Sequence, residues 1–353
     1  MKFGIMFFPS QAHDVRTNKY HLVIEAAKFA DTHGFCSVWT PERHFDEFGG
    51  IFPNPSIMSS ALAMITQNVQ IRAGSLVSPL HDVVRMAEDW AVVDNLSQGR
   101  VAISFGSGWN VNDFIFYPER YNDRRAIMFQ QIDEIQRLWQ GHSCLRKNSF
   151  GKEVEIYVYP RPVQDTLPVW ITSSGNPATF IQAGSIGANL LTHMIGQDVK
   201  ALARNIHAYR SSLWENGFEA ERGTVSLMLH TLLGKDAHVV KAKVEGPFKE
   251  YLRTAVLLEN KAAEGGGAIS GGHQISSQQM SDDMLQELLD ITFERYYTSA
   301  ALLGTVESCG GLIQQLEEIG VDEIACLIDF GPREEDVLEH LPYLQDLKEA
   351  FSH

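Results

Sequence analysis

Eight short apolar runs recur along the chain, at 2–8, 35–39, 70–77, 100–105, 168–172, 188–192, 224–232 and 323–328. Between them lie amphipathic stretches of helical period at 19–33, 55–66, 83–96, 124–139, 177–186, 198–216 and 236–258, and 333–350 closes the series. Apolar strands that alternate with helices predict a parallel sheet buried on both faces. Eight such units in 353 residues, 44% of them hydrophobic, predict an α/β chain forming one domain over 1–353, a (β/α)8 TIM barrel with rim insertions. Its active site would then lie at the carboxyl ends of the strands. A doubly wound open sheet is the alternative, but Phe8-Pro9-Ser10 stands where a glycine-rich dinucleotide turn would follow the first strand.

Two segments break the alternation. Residues 143–165 alternate Val154, Ile156 and Val158 with polar or aromatic neighbours, which predicts a rim hairpin. Residues 259–281 hold Gly265-Gly266-Gly267 and Gly271-Gly272 among Ser and Gln, a composition too polar to fix itself by burial. We read this stretch, with Gly266 and Gly271, as a mobile lid placed to fold over the barrel mouth or a disordered loop; a solvated insertion without a role would read the same way.

Charge and cysteine usage narrow the function classes. A net charge of -15 with no basic run repels nucleic acid and anionic membranes. The chain opens directly on strand-like Lys2-Phe3-Gly4-Ile5, without a leader pattern, and no apolar run is long enough to span a bilayer. Cys36, Cys144, Cys309 and Cys326 are scattered without metal spacing, as expected of reduced thiols in a cytoplasmic protein. No metal site is expected.

The strand ends carry the chemistry. After the second strand, Trp39-Thr40-Pro41-Glu42-Arg43-His44 puts a carboxylate, a guanidinium and an imidazole together; His44 can move a proton near neutral pH, and Glu42 can set its tautomer. Gly74 and Ser75, followed by Leu76, end the third strand with small residues that let a flat ligand approach the backbone. The fourth ends in Gly106-Ser107-Gly108-Trp109-Asn110, again a close backbone approach. In Thr172-Ser173-Ser174-Gly175-Asn176-Pro177, Asn176 suits a helix N-cap and Pro177 the first helical position, so the amides behind the turn form a site for phosphate. An ordinary tight strand-to-helix connection would read the same way. His193 closes the sixth strand as a ligand contact or a cap. Phe7, Trp39 and Trp109 would make the mouth apolar.

Taken together, Lys2-Phe3-Gly4-Ile5-Met6-Phe7, Thr40-Pro41-Glu42-Arg43-His44-Phe45, Ser78-Pro79-Leu80-His81-Asp82, Ser97-Gln98-Gly99-Arg100-Val101, Ser174-Gly175-Asn176-Pro177-Ala178-Thr179-Phe180 and Leu191-Thr192-His193-Met194 resemble the bacterial luciferase-like monooxygenases, in particular the branch of natural-product biosynthesis. The resemblance implies reduced FMN and molecular oxygen as cosubstrates, with His44 as the active-site histidine beside the flavin. It places Gly74, Ser75 and Leu76 behind the flavin ring, often with a cis peptide, and Ser174 at the phosphate with Ser173, Gly175 and Asn176 as neighbours. It also implies a homodimer through the helices after strands two and three, and a small-molecule or carrier-protein-bound substrate. The missing dinucleotide motif points to a separate flavin reductase. The chain departs from luciferase in two places: the glycine-rich stretch lacks luciferase's lysines, and Ser107-Gly108 replaces its phosphate-binding arginine, so that affinity must come from amides or a more distant cation. Rival readings are a deazaflavin-dependent reductase, a noncatalytic flavin binder, and a barrel hydrolase with a metal on Glu42, His44, His81, Asp82 and His193.

Overall fold

The computed structural model describes residues 1–8, 18–219, 222–264 and 282–352. In chain order the strands are β1 (Lys2–Met6), β2 (Ser37–Thr40), β3 (Gln70–Val77), β4 (Val101–Gly106), β5 (Cys144–Lys147), β6 (Glu153–Ile156), β7 (Val169–Ser173), β8 (Asn189–His193), β9 (Val225–Leu233), β10 (Leu302–Gly304) and β11 (Glu323–Leu327). The helices are α1 (His21–Thr32), α2 (Pro55–Ala63), α3 (Val83–Ser97), α4 (Arg124–Trp139), α5 (Pro177–Ser185), α6 (Val199–Glu215), α7 (Ala237–Glu264), α8 (Asp282–Ser299), α9 (Val306–Glu318) and α10 (Glu334–Phe351). Eight parallel strands close in the order β11-β1-β2-β3-β4-β7-β8-β9, with β9 returning to β11. This is the expected (β/α)8 barrel. Helix starts follow local chemistry: Asn54, Asp82 and Asn176 each cap a helix with a side-chain oxygen, and Pro55 and Pro177 occupy first positions where a missing N–H costs nothing.

A charged pair lies inside the barrel between two tryptophans. Arg72 on β3 reaches across to Glu323 on β11, its Nη1 lying 2.9 and 2.8 Å from the two carboxylate oxygens. Ser37 Oγ and Trp39 Nε1 donate to the same carboxylate at 2.8 and 3.3 Å, and the guanidinium lies between the rings of Trp39 and Trp170, 4.6 and 4.3 Å away. Burial opposes the charge on Glu323, but Arg72 together with the Ser37 and Trp39 hydrogen bonds outweighs it and holds the carboxyl below the ordinary glutamate range. Gly4 makes room for this arrangement: a Cβ there would sit 2.1 Å from Ser37 Oγ.

Two expectations need correction, and a third gains a location. Residues 143–165 contain an antiparallel pair, β5 with β6, and the segment stands at the amino-terminal rim of the barrel, away from the site. It connects α4 to β7, and helices deliver the chain to the strand starts; accordingly Val163 and Gln164 donate to Asp94 near the end of α3, and Gln164 Nε2 donates to the carbonyl of Val101 where β4 begins. Residues 259–264 continue α7 instead of opening a loop, while 265–281, with Gly266 and Gly271, lie outside the described residues. The seventh barrel helix is α9, not α7. Helices α7 and α8 leave from the carboxyl end of β9, β10 returns to pair with Thr231–Leu233 at that same end, and α9 then carries the chain down to β11. Among the described residues no helix is long and apolar enough to cross a membrane.

Removing one member of a buried ion pair strands the other, so Arg72→Met is expected to lower unfolding free energy by about 3–5 kcal/mol. The double variant Arg72→Met with Glu323→Leu should recover most of that loss in urea titrations; an undiminished loss would show that the pair itself, not the stranded charge, carries the stability.

Candidate active site

At the carboxyl end, Glu42 is a hub. Its fully buried carboxylate accepts hydrogen bonds from His44 Nε2 at 2.9 Å, His81 Nε2 at 2.7 Å and the Val77 amide at 2.7 Å. The short loop after β2 brings Glu42 and His44 together, whereas His81 arrives from the turn after β3. Burial works against the charge of Glu42, yet the two imidazoles outweigh it and keep the carboxyl below its ordinary range. Burial also disfavours the charged form of His81, but the hydrogen bond and charge of Glu42, with the charge of Asp89, together raise this imidazole above its usual value. With Nε2 of His44 donating to Glu42, Nδ1 is the nitrogen free of protein partners among the described residues. Phe45 backs this ring at 5.4 Å with a φ of 57°, a left-handed conformation that bulky residues seldom adopt.

Asp113, in the turn after β4, stands beside this cluster. Burial pushes its carboxyl up to about 6, against the opposing charges of His44 and Arg43, while Asn110 Nδ2 donates to it at 2.8 Å. Arg43 lies near the rings of Phe8, Phe48 and Trp109, 4.8, 5.2 and 5.8 Å from its guanidinium carbon.

The remaining strand ends form a small-residue shelf. The Gly74–Ser75 peptide is cis; Ser75 Oγ and Ser104 Oγ both lie within hydrogen-bond distance of Thr172 Oγ1, at 2.5 and 2.6 Å. Leu76 is buried in the apolar core. Beyond β4, Gly108 has a φ of 82° and its carbonyl accepts from Arg124 Nε at 2.9 Å, which brings a cation to the loop of Ser107 and Trp109. In the turn after β7, the Ser173 hydroxyl is buried without a hydrogen-bond partner. The amides of Ser174, Gly175 and Asn176 donate to no protein group among the described residues, and Asn176 caps α5 through Ala178. Gln197 and Asn205 brace this turn: Gln197 Nε2 donates to the His193 carbonyl at 2.6 Å, and Asn205 Nδ2 to the Gly175 carbonyl at 3.2 Å. His193 Nδ1 accepts from the Ile195 amide, and burial lowers its pKa to about 4, so it is a neutral imidazole with Nε2 as donor.

Sequence reasoning misplaced Trp39. Its ring is fully buried inside the barrel, under Gly74, where a Cβ would lie 2.8 Å from Cε3. The strand end pointed it inward rather than to the mouth; Phe7 is likewise buried, beside Phe52. Four polar groups were missed as parts of the site: His81 was weighed only as a metal ligand, and Asp113, Gln197 and His230 were passed over. His230 Nε2 is buried without a partner among four aromatic rings, and burial lowers its pKa to about 3. Its place in the middle of an apolar strand gave no local signal. Among the described residues no group of three or more His, Cys, Asp and Glu is disposed to hold a metal ion; Asp82 instead caps α3.

A closed parallel (β/α)8 barrel thus gathers imidazoles, an orphaned hydroxyl and open amides at one mouth, the layout of a barrel enzyme with room for an anionic ligand. The profile of the luciferase-like monooxygenases matches residues 1–323, and the chain belongs to that family. The oxygenase component of a flavin-dependent trigonelline monooxygenase from Acinetobacter baylyi is 24% identical over 372 residues, covering 100% of this chain and 96% of that protein. An uncharacterised Mycobacterium tuberculosis protein is 24% identical over 173 residues, 44% of this chain, and the match spans 61% of that relative's length. Among solved structures, the monooxygenase RslO1 of Streptomyces bottropensis superposes with a TM-score of 0.76 at 19% identity, covering 98% of each chain. An F420-dependent secondary alcohol dehydrogenase superposes with a TM-score of 0.73 at 15% identity, covering 100% of this chain and 99% of that one.

Because burial raises the folded pKa of Asp113 from 3.8 to about 6, the folded state loses stability as pH rises through that window. Asp113→Asn should therefore gain stability relative to the native chain between pH 4 and 7; parallel urea midpoints across that range would contradict the assignment.

Proposed function

We propose that this protein is the oxygenase of a flavin-dependent monooxygenase system, taking reduced FMN and molecular oxygen to oxygenate a small organic substrate. The observation that carries the reading is the buried, unpartnered Ser173 hydroxyl beside three open amides, at the same barrel end as the Glu42 hub. A buried hydroxyl without a partner fits a ligand that supplies the acceptor. A nine-residue helix starting at Pro177 adds its dipole to that demand for negative charge. Ser173, Ser174, Gly175 and Asn176 would hold the phosphate, with Arg124 and Ser107 bounding it from the loop after β4. Gly74, Ser75, Ser104, Thr172 and His193 would face the ring. Reduced FMN, when bound, supplies the electrons that activate dioxygen.

The chain's own residues have three tasks. Glu42 fixes the orientation of His44 through Nε2, so that Nδ1 is the position where a proton is held or released. His81 shares the Glu42 carboxylate and keeps it hydrogen-bonded whatever the state of His44. Phe45 and Phe116 pack against His44 and each other and, with Trp109, give the mouth an apolar lining. The name of the Acinetobacter relative, an oxygenase component, supports a separate reductase as the source of reduced flavin. A net charge of -15 repels an acidic carrier protein, which favours a free small molecule over a carrier-bound one. A deazaflavin cofactor is the second reading, favoured by the fold shared with the F420-dependent dehydrogenase.

Titration with reduced FMN and with reduced deazaflavin decides between these: the monooxygenase reading expects FMN to bind at least tenfold tighter, and the opposite order would refute it. Ser173→Val should weaken FMN by about tenfold through loss of one hydrogen bond to a charged group. His44→Ala should bind FMN within a few fold of native yet release hydrogen peroxide faster once oxygen is mixed in; an unchanged rate would remove the proton role from His44. We also propose a homodimer through α2 and α3, which expose Ile57, Met64, Val92 and Leu96. Ile57→Glu is then expected to shift sedimentation toward the monomer, and a native chain that sediments as a monomer at micromolar concentration would end that proposal.

A further inference from the structure

Arg43 has no assigned task, and its surroundings are unusual for a guanidinium. The side chain is partly buried, yet among the described residues it donates no hydrogen bond and forms no ion pair; its neighbours are the rings of Phe8, Phe48 and Trp109. Gly49 presses on its stem: a Cβ there would come within 2.8 Å of Arg43 Cγ, so the arm is confined. Aromatic rings attract a cation, but they offer no acceptor for the five N–H groups at its edge. Asp113 and Asp46 favour the charge from beyond ion-pair distance, while burial disfavours it. A guanidinium held in this way calls for an acceptor that arrives with a ligand.

The position of Arg43 identifies the ligand. It sits on the loop after β2 next to His44, on the second barrel strand, whereas the open amides stand after the fifth barrel strand, β7. The cofactor's phosphate is therefore provided for elsewhere. The walls continue as a row of flat rings, with Phe48 5.6 Å from Tyr251 and Tyr251 5.0 Å from the His230 ring. We propose that Arg43 is the specificity-determining residue for a planar aromatic substrate that bears a carboxylate, the carboxylate paired with the guanidinium fork and the ring lying among Phe8, Phe48, Trp109 and Tyr251. This rests on the monooxygenase reading for the identity of the ligand as substrate. Bidentate pairing would fix the ring's distance from His44 and so select which ring atom is presented.

Equilibrium dialysis of the full-length protein tests this with benzoate and 2-naphthoate against their neutral amides, benzamide and 2-naphthamide. The native chain should bind at least one acid about tenfold tighter than its amide, as one charge-assisted hydrogen-bond pair provides. Arg43→Met should erase the preference, Arg43→Lys should keep part of it, and FMN affinity should stay within twofold in both. Equal binding of acid and amide by the native chain overturns the proposal, as does a preference that survives Arg43→Met. A fall in FMN affinity in these variants also overturns it, by giving the guanidinium to the cofactor. Should Arg43→Met fail to fold, a full preference retained by Arg43→Lys with no loss counts against the fork. An acid preference in a chain that binds no FMN would sink the flavin reading and leave the anion site standing, so the two failures are distinguishable.

Discussion

The Arg72–Glu323 pair is the constraint on which the rest of the molecule depends. It crosses the lumen from β3 to β11 and is closed in by Trp39 and Trp170, so the barrel has a rigid polar floor instead of a pore. Buried charge is tolerated here because each carboxylate oxygen finds a donor, from the guanidinium, Ser37 or Trp39. Gly74 is small because Trp39 lies directly beneath, and the shelf of Ser75, Ser104 and Thr172 rests on the same two tryptophans' level of the barrel.

The mouth repeats this economy with another carboxylate. Glu42 receives two imidazoles and one amide, so its buried charge is compensated and His44 is oriented by a carboxylate held from three sides. The orphaned hydroxyl of Ser173 and the uncapped amides beyond it lie across the barrel from that hub. Polar demand is thus split between two sides of one opening, which is the arrangement a long ligand with a reactive end and an anionic end requires.

Much of this was legible in the residues. All eight barrel strands fall within a few residues of the apolar runs, because strands buried on both faces have no polar alternation to blur them. Glu42 and His44 were found as a pair since two residues on one loop are enough to join them. His81 and Asp113 were not, because their roles come from contacts across 39 residues in the first case and from the mouth's closed geometry in the second. Trp39 was misread because strand parity alone does not tell the last inward residue from the first one above the floor. Helices α8 and α9 have no counterpart among the amphipathic stretches, which pass from 236–258 directly to 333–350. The Thr305–Ser308 capping box that opens α9 was a local signal of its start.

The excursion of α7, α8 and β10 departs from and rejoins the carboxyl end of β9. Since it enters and leaves at one point, residues can be added to it or taken from it without shifting the pairing of β9 with β8 or β11. Tyr251, which meets both Phe48 and His230, is carried on this excursion. One part of the mouth, the Tyr251 side, can therefore change in sequence and length while the staves below keep their register.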